Sequence, residues 1–114
     1  MIRGEIWWVD FGIPYGSEPG YRRPAVVIQE NSFNASNINT TGVIPLTTNL
    51  SMCEYPCNVF LSLEDTNLSK DSVVLIPQIG VVDKTRLQER VSKLSKQKMK
   101  EISASIIKLL NLND

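Results

Sequence analysis

The chain has 114 residues, 42% hydrophobic and 21% charged, which fits one folded domain over residues 1–114 with a small core and argues against intrinsic disorder. Twelve Lys/Arg balance twelve Asp/Glu, so overall charge does not mark a general polyanion binder. Histidine is absent, which removes the usual proton carrier near neutral pH, and two cysteines alone are too few for a Cys/His zinc site.

The charge is unevenly spread. Residues 1–83 carry four cations against nine carboxylates, a net of −5, and residues 84–114 carry eight against three, a net of +5. The last quarter is a basic appendage on an acidic body. No charged segment leading into an apolar one opens the chain, and no long apolar run follows, so the expectation is a cytoplasmic protein with no membrane span. Cys53 and Cys57 are expected as free thiols in a reducing compartment.

In chain order, residues 4–11 read as the first strand. Ile6 and Trp8 share one face and Trp7, Val9 and Phe11 the other, so the strand is expected to be covered on both sides, with both tryptophans in the core. Residues 12–23 hold three glycines and two prolines, with a third proline directly after, and read as a loop. The second strand spans residues 24–29, with Pro24 at its first position because proline brings no donor. Pro24 also holds Arg23 in extended backbone geometry.

A polar loop over residues 30–40 leads to a third strand at 41–47, where Pro45 predicts an edge or a bulge. Residues 48–56 connect to a fourth strand at 57–63, and a polar turn at 64–71 leads to a fifth at 72–82, bent at Pro77 and Gly80. Asp83 reads as the cap of a short turn at 84–87. Residues 88–94 read as a last strand. Ser95 caps the clearest helix, with Met99, Ile102, Ile106, Leu109 and Leu110 in one stripe. Lys96, Lys98 and Lys100 sit near its N-terminus, where the helix dipole disfavours cations and Glu101 offers compensation.

These elements predict a mostly β fold with a C-terminal helix, a small, bent, SH3-like β-barrel. Antiparallel pairing of the second and third strands brings the start of one beside the end of the other. Arg23 then comes within reach of Thr47 or Thr48, under the glycine-rich loop.

The residues that meet there carry a resemblance. Arg3-Gly4-Glu5-Ile6-Trp7-Trp8-Val9, Gly16-Ser17-Glu18, Arg23-Pro24-Ala25-Val26-Val27-Ile28-Gln29, Ile44-Pro45-Leu46-Thr47-Thr48-Asn49, Gln78-Ile79 and Asp83-Lys84-Thr85-Arg86-Leu87 occur in the order of the MazF/PemK-type toxins of toxin–antitoxin pairs. The chain resembles that family over most of its length. The resemblance implies the plasmid-maintenance toxin type of barrel. It also implies a homodimeric endoribonuclease that cuts single-stranded RNA without metal or other cofactor, and an acidic, partly disordered antitoxin that occupies the RNA groove.

By the same resemblance, Arg23 and Thr47 fall on the catalytic arginine and threonine, and Glu18 on the loop acid. Ser17, Thr48, Asn49, Gln78 and Arg86 fall on the RNA-binding stretches. Either Thr47 or Thr48 satisfies the threonine match. The position two residues after Gln78, usually basic in the family, is Gly80 here, and Arg86 is the candidate replacement.

The expected chemistry is attack of a ribose 2′-hydroxyl on its own phosphate, giving a 2′,3′-cyclic phosphate and a 5′-hydroxyl. Arg23 suits the phosphoryl oxygens and the leaving oxygen, because guanidinium grips phosphate with parallel donors. Glu18 is the carboxylate candidate for base, and the family-based alternative gives Arg23 both proton roles. Two rival functions remain at this stage: a non-catalytic toxin of the same fold that poisons DNA gyrase, and a plain RNA-binding barrel.

Overall fold

A computed structural model describes residues 1–113. Among the described residues, seven strands form a curled, antiparallel half-barrel. They are β1 (Glu5–Asp10), β2 (Arg22–Val27), β3 (Thr40–Thr47), β4 (Val59–Leu61), β5 (Ser72–Val74), β6 (Gly80–Asp83) and β7 (Leu87–Lys93). Their order is β4-β5-β3-β2-β1-β7, with β6 also paired to β3. Two single-turn helices, α1 (Asn31–Asn34) and α2 (Leu63–Thr66), fill the expected polar connections, and α3 (Lys96–Leu110) ends the fold.

The first strand is covered on both sides, as its pattern requires. Ile6 belongs to a core layer with Val26, Ile44, Leu46, Val74, Met99 and Ile102, while Val9 belongs to a second layer with Ala25, Val27 and Val43. Trp7 packs against the second layer. Trp8 is not a core residue: it is half-buried and walls a surface cleft.

The expected fifth strand is two strands. Pro77 lies in a 3-10 turn, Ile76–Gln78, which separates β5 from β6. The two halves pair with opposite halves of β3: Thr40–Val43 against β6, and Leu46–Thr47 against β5. Pro45 stands between them, and its carbonyl accepts from the Leu75 amide at 3.0 Å. β3 is therefore an interior strand, and its proline is tolerated where the partner changes. Pro24 is the third residue of β2 rather than its first, opposite Trp8. β2 pairs with β3 only from Ala25 onward, so Pro24 precedes the start of that ladder.

Ser95 caps α3 by accepting from the Lys98 amide, and Asn111 ends it in the left-handed region at φ 53°. Lys98 pairs with Glu101 at 3.2 Å, which supplies part of the expected compensation at this end. Met99 and Ile102 are buried, but Leu109 and Leu110 run past the core into solvent. Asp83 caps the 3-10 turn Lys84–Arg86 by accepting from the Thr85 amide at 2.9 Å.

Glu5 ties the start of the sheet together. Its buried carboxylate accepts from the Ile2 amide at 2.7 Å, from Trp7 Nε1 at 3.1 Å and from Arg90 on β7. Burial pushes this carboxyl up, but the donors outweigh it and hold its pKa below the ordinary value. A carboxylate with a depressed folded pKa stabilises the fold above its unfolded pKa, and that stability is lost as pH falls through the folded value. Glu5→Gln is expected to cost about 2 kcal/mol at pH 7. Urea melts of both proteins should show the gap narrowing below about pH 4.

Candidate active site

The loop over residues 12–21 closes at its base. The Phe11 amide donates to the Tyr21 carbonyl at 2.8 Å, and the Tyr21 amide to the Gly12 carbonyl at 2.6 Å. Tyr21 sits in the left-handed region at φ 58°, which costs a side-chain-bearing residue about 1 kcal/mol. Further along, Gly20 lies flat against the Pro14 ring, and a Cβ there would stand 2.4 Å from Pro14 Cδ. The loop thus folds on itself before it delivers two arginines to β2.

Those arginines are used differently. Arg22 stacks over Trp8 at 4.5 Å, donates to Gln88 Oε1 at 2.7 Å and pairs with Glu89 at 3.4 Å. It fastens the start of β2 to β7. The Arg23 guanidinium has no hydrogen bond or ion pair among the described residues, and it borders a cleft of 340 Å³. Alternation along β2 puts Arg23 on the face of Ala25.

Thr47 borders the same cleft. Ala25 faces Pro45 across the β2–β3 ladder, and continuing that register by two residues sets Arg23 opposite Thr47. Thr47 Oγ1 accepts from the Asn49 amide at 3.2 Å, which leaves its hydroxyl proton free to donate into the cleft. Thr48 also lines it, with Trp8, Leu46 and the buried Ser72. Asn49 lines neither this cleft nor the cavity beside it. Its side chain caps the 3-10 turn Leu50–Glu54, accepting from the amide and hydroxyl of Ser51.

A larger cavity of 690 Å³ is lined by the remaining candidates, Ser17, Glu18, Gln78 and Arg86, together with Gly80 and Asp83. Glu18 and Arg23 therefore line different hollows. Val43, in the floor of the larger one, shares the sheet face of Ala25, and hence of Arg23 and Thr47. Gln78 Nε2 donates to the Ser17 carbonyl at 3.4 Å, tying the loop to the 3-10 turn between β5 and β6, and its buried Oε1 has no donor among the described residues. Arg86 donates to the Asp10 carbonyl at 3.0 Å and brings a cation to the cavity that Gly80 borders. Thr85 bonding and the nearby Arg86 keep the Asp83 carboxyl below its ordinary pKa.

Residues 2–110 match the family described as PemK-like, MazF-like toxins of type II toxin–antitoxin systems. The chain belongs to the PemK/MazF-like toxin family. The endoribonuclease MazF6 of Mycobacterium tuberculosis is 39% identical over 112 residues, covering 98% of both chains. A crystal structure of MazF from Deinococcus radiodurans aligns with a TM-score of 0.82 at 25% identity, covering 97% of this chain and 96% of that one. A mycobacterial endoribonuclease solved in complex with its cognate antitoxin has the same fold, with a TM-score of 0.74 at 20% identity over 97% and 93% of the two chains.

Two cleft residues of this PemK/MazF-like toxin escape sequence reasoning. Trp8 alternates with Ile6 and reads as core, yet its ring is the platform under Arg22. Ser72 reads as an ordinary strand start, yet it lines the cleft. The adjacency of Arg22 and Trp8 across the β1–β2 hairpin is the one signal that could have marked the first, since Trp8 faces Pro24, two residues on. No signal in the sequence marks the second.

Proposed function

We propose that this chain is a cytoplasmic endoribonuclease toxin that cuts single-stranded RNA at specific sequences by 2′-hydroxyl attack, without a metal ion. The observation that carries the reading is the unengaged Arg23 guanidinium beside the Thr47 hydroxyl in one open cleft. Family membership and the named endoribonuclease relative support it.

Cleavage needs an in-line geometry, a proton taken from the 2′-oxygen, a proton given to the leaving 5′-oxygen and stabilisation of phosphoryl charge. Arg23 grips the phosphate and protonates the leaving oxygen, and Thr47 donates to the same phosphoryl group. Arginine is a poor base because its guanidinium keeps its proton at any ordinary pH. Glu18 takes the 2′-proton, which requires the loop to carry it from its own cavity across the shared sheet face to the cleft.

Purified protein incubated with a long RNA in EDTA should give discrete fragments with 2′,3′-cyclic ends. Intact RNA would return the reading to a gyrase poison or a plain RNA binder. The pH–rate profile tests the base: Glu18→Gln should lose the acid limb that the wild-type protein shows. An unchanged acid limb would sink Glu18 and leave Arg23 with both proton roles.

We further propose that the toxin works as a homodimer and is held inactive by an acidic, partly disordered antitoxin. The second core layer has four fully buried residues, rimmed by half-buried Met1, Trp7, Phe11, Val82 and Leu87. Val81 beside them is 67% exposed. A second copy would complete that layer. An acidic segment folding on binding would meet the unheld Arg23 and the basic last quarter of the chain.

A further inference from the structure

Among the described residues, three positions with side chains have positive φ: Tyr21, Asn67 and Asn111. Asparagine tolerates that conformation through its short polar side chain, and a bulky tyrosine does so only under strain. Tyr21 is held there at both ends, its amide donating to the Gly12 carbonyl at 2.6 Å and its carbonyl accepting from the Phe11 amide at 2.8 Å. The side chain gives the fold nothing in return. It is 68% exposed, and its hydroxyl has no hydrogen bond among the described residues. What the strain does achieve is placement. Tyr21 lines the 340 Å³ cleft with Arg23 and Thr47. Trp8, the other aromatic residue of that lining, already carries Arg22 over its ring at 4.5 Å. Tyr21 is therefore the one unengaged aromatic residue beside the unengaged Arg23.

We infer that Tyr21 is a specificity-determining residue, a strained aromatic platform on which the base adjoining the scissile phosphate stacks. The inference rests on the RNA-cleaving reading. It adds a contact that Arg23, Thr47 and Glu18 do not make, to a base rather than to the phosphate or the 2′-oxygen. Backbone strain kept at a position where it does not serve the fold is a mark of function. A backbone locked by two hydrogen bonds also loses little entropy when a ligand orders it. Every base has a face that can stack on a tyrosine ring, so the contact tolerates sequence. The larger purine rings overlap the platform more than pyrimidines do, so the residue favours a purine beside the cut.

The test separates the ring from the backbone that carries it. A single strand is selected from a random RNA pool for binding and made with 2′-O-methyl groups so that it cannot be cut. Tyr21→Asn suits the left-handed backbone and removes the ring. It should bind this strand about tenfold more weakly and melt at or above the wild-type temperature. Tyr21→Phe should bind as the wild type does. Bases are then removed one at a time to leave abasic sites. At the stacked position the difference between the wild type and Tyr21→Asn should disappear. Unmodified RNA of the same sequence should be cut beside that position. Equal affinity of the wild type and Tyr21→Asn would overturn the inference, as would a Tyr21→Phe as weak as Tyr21→Asn. So would a lower melting temperature in Tyr21→Asn, a difference that persists at every abasic site, or a cut remote from the stacked base. If the nuclease reading fails instead, the unmodified RNA stays intact while the affinity difference and its dependence on one base survive.

Discussion

Arg23→Ala is expected to lower the cleavage rate by about 10²- to 10³-fold and to leave the melting curve unchanged. The rate loss is the cost of removing one preorganised donor from a developing phosphoryl charge. The unchanged melt follows because no described residue bonds this guanidinium, so nothing in the fold loses a partner. Fragment quantification in EDTA, beside a thermal melt of the same sample, reads both. Arg22→Ala makes the contrast, since Arg22 holds Trp8, Gln88 and Glu89 and its loss should loosen the β1–β2–β7 junction.

Ile102→Ala should produce the opposite pair of results. Ile102 is fully buried, packed in the layer that includes Ile6, Ile44 and Val74. Truncating such a residue costs about 2–5 kcal/mol through lost burial and the cavity left behind. For a domain of this size, about 3 kcal/mol lowers Tm by roughly 12 °C. α3 packs on the sheet face away from Arg23 and Thr47, whose side chains point with Ala25 and Val43. Cleavage per folded molecule, measured well below the transition, should therefore be preserved. A loss of activity at full folding would mean that α3 shapes the cleft as well as the core.

Much of this arrangement was legible from residues 1–47. The doubly apolar pattern of Ile6 to Phe11 specifies a strand covered on both sides, and antiparallel pairing brings Arg23 toward Thr47 with no further information. The helix was legible because Ser95 caps a periodic stripe, although Leu109 and Leu110 continue that stripe past the last surface available to bury them. The bend at Pro77 was legible as a bend. Its result was not, because a proline reports where a strand breaks and is silent about which partner each half finds. Nor was the separation of Glu18 from Arg23. It depends on the loop packing Gly20 against Pro14 and tying Ser17 to Gln78, contacts that no local pattern encodes. Trp8 and Ser72 were missed because strands hide which face becomes a cleft wall until the sheet curls.

β3 runs beneath both hollows, contributing Val43 to one and Thr47 to the other. An antiparallel strand advances about 3.4 Å per residue, so the four residues from Val43 to Thr47 set the two hollows about 14 Å apart along one strand. That spacing belongs to the backbone of β3 and not to the loop, so lengthening β3 would change it while leaving Arg23 where β2 holds it.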